Sequence, residues 1–142
     1  MTTIAFDGKV LAADKQATTN TLKHTTTKIF RVGDIRCGFA GCAPIGRELL
    51  NWAENGFDPE DFPESARDTE ENYTVFLVVE KEALRCYEAS PYPLLFEDTY
   101  FATGSGGPIA TAAMALGKSA VEAVELASKL DSNTGMGVDF LE

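Results

Sequence analysis

Two pairs of short apolar runs in this chain are each joined by a two-residue turn. The first turn is Asp7-Gly8, between the runs 2–6 and 10–14, and the second is Gly33-Asp34. Aspartate and glycine adopt the backbone angles of tight hairpin turns at little cost, so each pair predicts an antiparallel hairpin. Since hairpins pair strands that are neighbours in sequence, the sheets of this protein are expected to be mainly antiparallel.

The rest of the chain contains further strands and three helical patterns. Residues 15–27 are polar and rich in threonine, which predicts a loop or an irregular sheet edge. Helices are predicted over 44–55, 108–116 and 120–130, and further strands over 28–32, 35–40, 74–79, 83–87, 100–103 and 138–141. Strands grouped apart from helices indicate an α+β fold, with two sheets face to face and helices outside. A chain of 142 residues suits a single domain over 1–142.

Charge and composition exclude several classes of protein. The formal net charge is −10, which argues against non-specific nucleic-acid binding because that needs a basic face. No apolar run approaches the roughly 20 residues of a membrane span, and the first residues do not resemble a secretory signal. Three cysteines without CxxC spacing and a single histidine predict no metal site. Such cysteines are typical of core residues in a reducing compartment, so a cytoplasmic protein is expected.

Much of the negative charge lies in one segment, 58–71. Seven carboxylates there accompany the single cation Arg67. Such a run is usually a solvated helix or loop, and the alternative is a docking face for a basic partner. Pro59 and Pro63 predict that the segment is short or irregular.

The second residue, Thr2, can carry chemistry at a chain terminus. Initiator methionine is readily trimmed before a small residue, and loss of Met1 would leave a threonine with a free α-amine. That residue then holds a nucleophilic hydroxyl and its own general base, as in N-terminal threonine hydrolases. The alternative is that Thr2 is a plain strand residue, since threonine favours extended backbone.

Six motifs, in order, resemble a known family: TTIAF, VLAAD, a lysine, CGFAG, ATGSGG and ASKLDSNTG. They resemble the β-type subunits of proteasomes and, more closely, the peptidase subunit of the bacterial ATP-dependent two-component protease (HslV-like). Both belong to the N-terminal nucleophile (Ntn) hydrolase superfamily, and the matches run from Thr2 to about Gly135.

The resemblance implies a fold, an activity and partners. It implies a four-layer αββα sandwich of two mainly antiparallel sheets flanked by helices, and a cytoplasmic threonine endopeptidase that needs no cofactor or metal. It further implies a homo-oligomeric ring that cleaves polypeptides, fed by a separate AAA+ unfoldase. Because the chain has no Walker-type phosphate loop, any ATP-driven step would belong to that partner. Two alternatives are a catalytically silent ring-forming structural or regulatory homologue and a small-molecule amidohydrolase.

By the same resemblance, Thr2 is the nucleophile, Lys28 is the lysine beside it, and Asp14 pairs with Lys28. An ammonium close to Thr2 would favour the alkoxide and lower the pKa of the α-amine. A buried lysine without a carboxylate would tend to lose its charge, which gives Asp14 its role. The alternatives are an exposed lysine at a strand end for Lys28 and a loop cap for Asp14.

Gly41 and Phe39 match residues that contact the substrate in the family. The resemblance implies that the Gly41 N–H stabilises the tetrahedral oxyanion and that Phe39 lines the pocket for the side chain before the scissile bond. A glycine lets substrate approach the backbone closely. The alternatives are a tight strand-to-helix turn at Gly41, which is compatible with the first role, and a core position for Phe39.

Ser105 and Asp131 match residues that surround the terminal amine, and Thr134 matches a hydroxyl residue that follows three positions after the aspartate. The resemblance implies that Ser105 bonds the amine and relays protons, that Asp131 orients the amine, and that Thr134 helps to bind substrate. The alternatives are a helix N-cap for Ser105 and ordinary turn chemistry for Asp131 and Thr134.

Overall fold

The computed structural model describes residues 2–142, which form eleven strands and three α-helices. The strands are β1 (Thr3–Phe6), β2 (Leu11–Asp14), β3 (Gln16–Thr19), β4 (Leu22–Thr25), β5 (Ile29–Val32), β6 (Ile35–Ala40), β7 (Val75–Glu80), β8 (Ala83–Glu88), β9 (Leu94–Phe96), β10 (Phe101–Gly104) and β11 (Val138–Leu141). The helices are α1 (Ala43–Glu54), α2 (Gly107–Ala115) and α3 (Ala120–Leu130). The chain divides into two compact units, one up to Phe30 together with Asp98–Glu142, the other Arg31–Glu97. The expectation of one domain over 1–142 stays a prediction.

The first unit contains a four-stranded antiparallel sheet in the order β10-β1-β2-β11. Small side chains meet in its register, since Ala5 lies opposite Ala12 on one side and Ala102 on the other. Helices α2 and α3 pack on each other and on this sheet through a buried cluster rich in alanine. Because alanine has only a methyl group, the helices approach the strands closely, and little space is left for larger side chains.

The start of α3 is fixed as the sequence predicts. Ser119 is its N-cap, and a capping box joins the Ser119 side chain and Glu122 to each other's backbone N–H groups. The Asp7 carboxylate, in the turn between β1 and β2, also accepts the Ala120 N–H at 2.9 Å. Burial alone would raise the pKa of Asp7, but backbone N–H donors led by that of Val10 outweigh it and lower the pKa.

The segment 15–27 is not a loop or an irregular edge, as predicted, but a hairpin. Strands β3 and β4 pair from Gln16 opposite Thr25 to Thr19 opposite Leu22, and Asn20 turns the chain with a φ of 56°. Threonine-rich backbone favours extended conformations, which explains the pairing. Every residue of β4 is exposed, so the alternation of apolar and polar residues that signals a half-buried strand is missing.

The second unit is built on a five-stranded sheet in the order β5-β6-β7-β8-β9. Its central strand β7 is buried from Val75 to Val79 and pairs with β6 and β8. The edge strand β9 was not predicted, because Pro91 and Pro93 mark the segment before it as a loop.

Trp52 of helix α1 lies at the centre of an aromatic cluster in the second unit. The Trp52 ring makes edge-to-face contacts with Phe57, Phe62 and Tyr87 at centroid distances of 5.1, 5.0 and 5.1 Å. Its indole N–H donates to the Asp58 carbonyl at 2.7 Å, so the one polar atom of the side chain is satisfied. This arrangement anchors the acidic segment at the end of the helix.

The acidic segment is irregular, as its prolines predict. It forms two short 3₁₀ turns, Pro59–Asp61 and Glu64–Arg67, held by the buried side chains of Phe62 and Ala66. Six of its seven carboxylates are exposed and Asp68 is half-buried, which agrees with a solvated segment.

Two further sequence predictions concern cysteines and membranes. Cys37 and Cys86 are buried, and burial raises the pKa of each thiol to about 12, as for inert core residues. Cys42 is half-buried. Within residues 2–142, none of the helices is long and apolar enough to cross a membrane.

Candidate active site

A buried ion pair joins the end of β2 to the residue before β5. The Lys28 ammonium lies 2.8 Å from Asp14 Oδ1, with the two side chains 4% and 0% exposed. The same oxygen accepts the backbone N–H of Thr3 at 3.0 Å. The other oxygen, Oδ2, accepts the N–H groups of Gly135 at 3.0 Å and Gln16 at 3.3 Å. A charge can stay buried when its partner and its hydrogen bonds replace the lost water, and this carboxylate has both.

The pairing of Asp14 and Lys28 determines how firmly the lysine holds its proton. Burial lowers the pKa of Lys28, and the hydrogen bond and charge of Asp14 offset only part of that effect. Because Lys28 Nζ and Thr3 N bind one oxygen, the ammonium lies beside the peptide that links Thr2 to Thr3. The predicted neighbours Asp14 and Lys28 are therefore brought together at the start of β1.

A second polar cluster forms around Asp131, which ends α3. Ser105 Oγ and Thr134 Oγ1 both donate to Asp131 Oδ2 at 2.6 Å, and the Asn133 N–H donates to Oδ1 at 3.1 Å. Burial alone would raise the pKa of Asp131, but these donors outweigh it and lower the pKa, so the carboxylate is ionised at neutral pH. The structure brings together Ser105 and Asp131, which the resemblance places around the amine, and Thr134, which it assigns to substrate binding.

The hydroxyl of Ser105 resolves one alternative left open by the sequence. The N-cap of α2 is Gly106, and no side chain caps that helix. Ser105 therefore binds the carboxylate of Asp131 rather than the N-terminus of the helix.

The loop 131–135 is tied to the strand that carries Asp14. Gly135 donates its N–H to Asp14 and accepts the Lys15 N–H at 3.0 Å. The buried Gln16 side chain donates to the Ser132 carbonyl at 3.1 Å. The sequence analysis does not identify Gln16 as a site residue. The one feature that could have indicated it is its position, two residues after an aspartate predicted to be buried.

Thr2 lies directly before β1 and is 5% exposed. Its carbonyl is pressed against Gly104 of β10, which has a φ of +96° and pairs with Thr3. A Cβ at position 104 would overlap the Thr2 carbonyl oxygen, so only glycine admits this approach. Met1, whose removal is predicted, lies outside the described residues.

Replacing Gly104 with alanine is expected to displace the start of β1. Gly117→Ala is a matched control, since Gly117 has a φ of +93° but nothing within 4 Å of an added Cβ. Both substitutions carry the left-handed backbone cost of about 1–2 kcal/mol, and only Gly104→Ala adds the overlap with Thr2. We expect Gly104→Ala to lose at least about 2 kcal/mol more unfolding free energy than Gly117→Ala in urea titrations. Equal losses of unfolding free energy in the two variants would show that the start of β1 accommodates the added Cβ without cost.

Gly41 and Phe39 belong to the second unit. Gly41 follows β6 with a φ of +127°, and a Cβ there would overlap the Tyr73 carbonyl oxygen, as expected for a tight strand-to-helix turn. Phe39 is 6% exposed, and its ring packs on Gly46 of α1, which is the position of a core residue. Their roles at an oxyanion and in a substrate pocket stay predictions.

The antiparallel sheets and the three helices form the α+β architecture that the sequence predicts, and solved structures share this fold, so the predicted α+β fold class is confirmed. The chain is similar to HslV from Trypanosoma brucei, with a TM-score of 0.72 and 22% identity over 99% of this chain and 97% of that one. It is also similar to BPH from Thiobacillus denitrificans, alone (TM-score 0.69, 20% identity, 99% and 95% covered) and in complex with epoxomicin (0.69, 17%, 99% and 96%).

The sequence comparisons find less than the structural ones. No protein-family model matches the chain, and no curated protein matches its sequence. The HslV-like resemblance seen in the motifs is confirmed by the similarity of the three-dimensional fold and not by sequence comparison.

Proposed function

We propose that this chain is a threonine-type peptidase that cleaves peptide bonds through an acyl-enzyme on Thr2. The observation that carries the proposal is the shared oxygen of Asp14, which holds the Lys28 ammonium beside the Thr2–Thr3 peptide. The stability of the fold does not require a buried ion pair at this place, since apolar residues of similar size often stabilise a core at least as well. Its position next to a threonine points to catalysis.

The proposed reaction begins once the residue before Thr2 is removed and the α-amine is free. The neutral amine takes the proton from Thr2 Oγ1 as the oxygen attacks the carbonyl carbon of the scissile bond. The protonated amine then gives that proton to the leaving nitrogen, and the C–N bond breaks to leave an ester on Thr2. The same amine then takes a proton from water as the water oxygen adds to the ester carbon. The bond between that carbon and Thr2 Oγ1 breaks, the amine returns the proton to Thr2 Oγ1, and the second product leaves with its new carboxylate.

The surrounding residues assist each proton transfer. Lys28 stabilises negative charge on the Thr2 oxygen, and Asp14 holds the ammonium in place. The Ser105–Asp131–Thr134 cluster presents an ionised carboxylate and hydroxyls that orient the amine and relay its proton. Gly41 donates its N–H to the oxyanion, a contact worth about 2.7–4 kcal/mol in acyl transfer. Phe39 lines the pocket for the substrate side chain before the scissile bond.

We propose further that the active form is a cytoplasmic homo-oligomeric ring that takes polypeptides from a separate AAA+ unfoldase. The similarity of fold to HslV supports this assembly. Enclosure would keep the peptidase from digesting exposed loops of folded proteins. Multi-angle light scattering gives the mass of the assembly, and a monomer would exclude the ring.

Mass spectrometry of the N-terminus, run beside a peptide-hydrolysis assay, tests the peptidase proposal. We expect a chain that starts at Thr2, releases fluorophore from small peptides, and is inhibited by epoxomicin, which the Thiobacillus denitrificans protein binds. Peptide hydrolysis by a sample whose Thr2 amine is still blocked would reject the mechanism. A free Thr2 without any hydrolysis would favour the silent homologue, and hydrolysis of small amides alone would favour the amidohydrolase.

A further inference from the structure

Thr3 contacts both polar clusters of the candidate site. It is the first residue of β1 and is 0% exposed. Its backbone N–H donates to Asp14 Oδ1 at 3.0 Å, and its Oγ1 lies 2.8 Å from Thr134 Oγ1. A single residue next to the proposed nucleophile thus touches the Asp14–Lys28 pair and the Ser105–Asp131–Thr134 cluster.

The direction of the hydroxyl bond follows from counting protons. Thr134 has one hydroxyl hydrogen, and it is directed to Asp131 Oδ2 at 2.6 Å. An ionised carboxylate only accepts, so it cannot supply the hydrogen of that bond. Thr3 is therefore the donor to Thr134, and the hydroxyls form an ordered chain from Thr3 through Thr134 to Asp131.

The space around the Thr3 hydroxyl leaves it little freedom. A Cβ at Gly106 would overlap Thr3 Oγ1 and would lie 2.9 Å from the Ala127 Cβ, so backbone closes the site on that side. Both polar groups of the peptide between Thr2 and Thr3, the N–H and the carbonyl, are in close contact with other residues. Its N–H binds Asp14, and its carbonyl oxygen lies against Gly104.

We propose that Thr3 is a positioning residue for Thr2. Its N–H and its hydroxyl join the Asp14–Lys28 pair to the Asp131 cluster, and together they hold the backbone of Thr2 in the orientation that the reaction requires. The inference rests on the proposed peptidase function for its kinetic consequence, while the bond between Thr3 and Thr134 stands on geometry alone.

Thr3→Val and Thr3→Ser separate the hydroxyl from the shape of the side chain. Valine keeps the branched shape but removes the donor, so Thr134 Oγ1 no longer accepts a hydrogen bond from residue 3. We expect kcat for a small peptide to fall about 10- to 100-fold, because displacement of a reacting group by about 1 Å costs about 10²-fold. KM should stay within about 3-fold, since Thr3 is 0% exposed and its side chain offers no surface to a substrate. Thr3→Ser should keep kcat within about 3-fold of the wild type.

Wild type and Thr2→Ala run in parallel separate this inference from the peptidase proposal. If Thr2→Ala is inactive and Thr3→Val turns over like the wild type, the role of Thr3 is overturned and the peptidase proposal stands. If Thr3→Val and Thr3→Ser lose kcat equally, the hydroxyl has no positioning role. Should Thr3→Val fail to fold, Thr3→Ala removes the same donor with less bulk, and the same loss of kcat is expected.

A double-mutant cycle on stability tests the hydroxyl bond even if the wild type cleaves no peptide. The variants are Thr3→Val, Thr134→Val and the two combined, each unfolded in urea. Because both single changes break the same bond, the combined variant should lose less unfolding free energy than the two single losses added together. Strict additivity would overturn the bridge between the two clusters.

Discussion

Replacing Thr2 with alanine is expected to reduce kcat for a fluorogenic peptide by a factor of about 10⁴ to 10⁶. Alanine keeps the α-amine and the backbone of the strand start but removes the hydroxyl that is proposed to form the acyl-enzyme. The melting temperature should change by less than about 4 °C, because the residue lies at the end of a strand and keeps its backbone contacts. Hydrolysis followed by product fluorescence, beside a thermal melt, measures both quantities.

Two further variants and a pH profile test whether the loss of activity in Thr2→Ala comes from the missing hydroxyl. Thr111→Ala, an exposed threonine of α2, should leave hydrolysis unchanged. Thr2→Ser keeps a hydroxyl and should retain measurable turnover. In the wild type, kcat/KM should rise with pH as the α-amine loses its proton, since only the neutral amine is a base and its ordinary pKa is about 7.7–8.0. Undiminished turnover by Thr2→Ala would discard the mechanism.

Replacing Lys28 with alanine is expected to damage both stability and catalysis. The change leaves the Asp14 carboxylate, which is 0% exposed, without its cation. Breaking a buried pair in this way costs about 3–5 kcal/mol of unfolding free energy. Loss of the charge beside Thr2 should lower kcat by about 10²- to 10⁴-fold. Urea unfolding and peptide hydrolysis of the same preparation give the two losses.

Lys28→Arg and Lys15→Ala act as controls for this prediction. Arginine keeps a cation near Asp14, so stability should recover in part, but its planar group differs in size and geometry and kcat should stay low. Lys15 pairs with Asp139 at 2.7 Å in a half-buried position, and its loss should cost no more than about 1 kcal/mol. Full activity of Lys28→Arg would show that Lys28 contributes charge alone.

Local signals were sufficient where a short stretch of sequence determines its own structure. Asp7-Gly8 predicts the first hairpin, and Ser119 with Glu122 predicts the start of α3, because both depend on neighbours within four residues. The hairpin of β3 and β4 was missed because its outer strand lies wholly in solvent and carries no apolar alternation.

The candidate site depended on resemblance, because its contacts join distant parts of the chain. Ser105 and Asp131 are 26 residues apart, and Thr3 and Thr134 are 131 apart, so no local pattern predicts either pair. The motifs identified most of the members, including Asp14 and Lys28, which form the ion pair. They did not identify Thr3 or Gln16, whose importance lies in what they touch and not in their residue type.

The tie between Gly135 and Asp14 has a consequence for the order of events during synthesis. Translation makes the carboxylate of Asp14 early, but one of its backbone donors and the whole loop 131–135 arrive more than a hundred residues later. A growing chain emerges at about 5–20 residues per second, so the proposed catalytic centre stays incomplete for several seconds on the ribosome. An unfinished chain therefore lacks part of the proposed site until the loop 131–135 has been made.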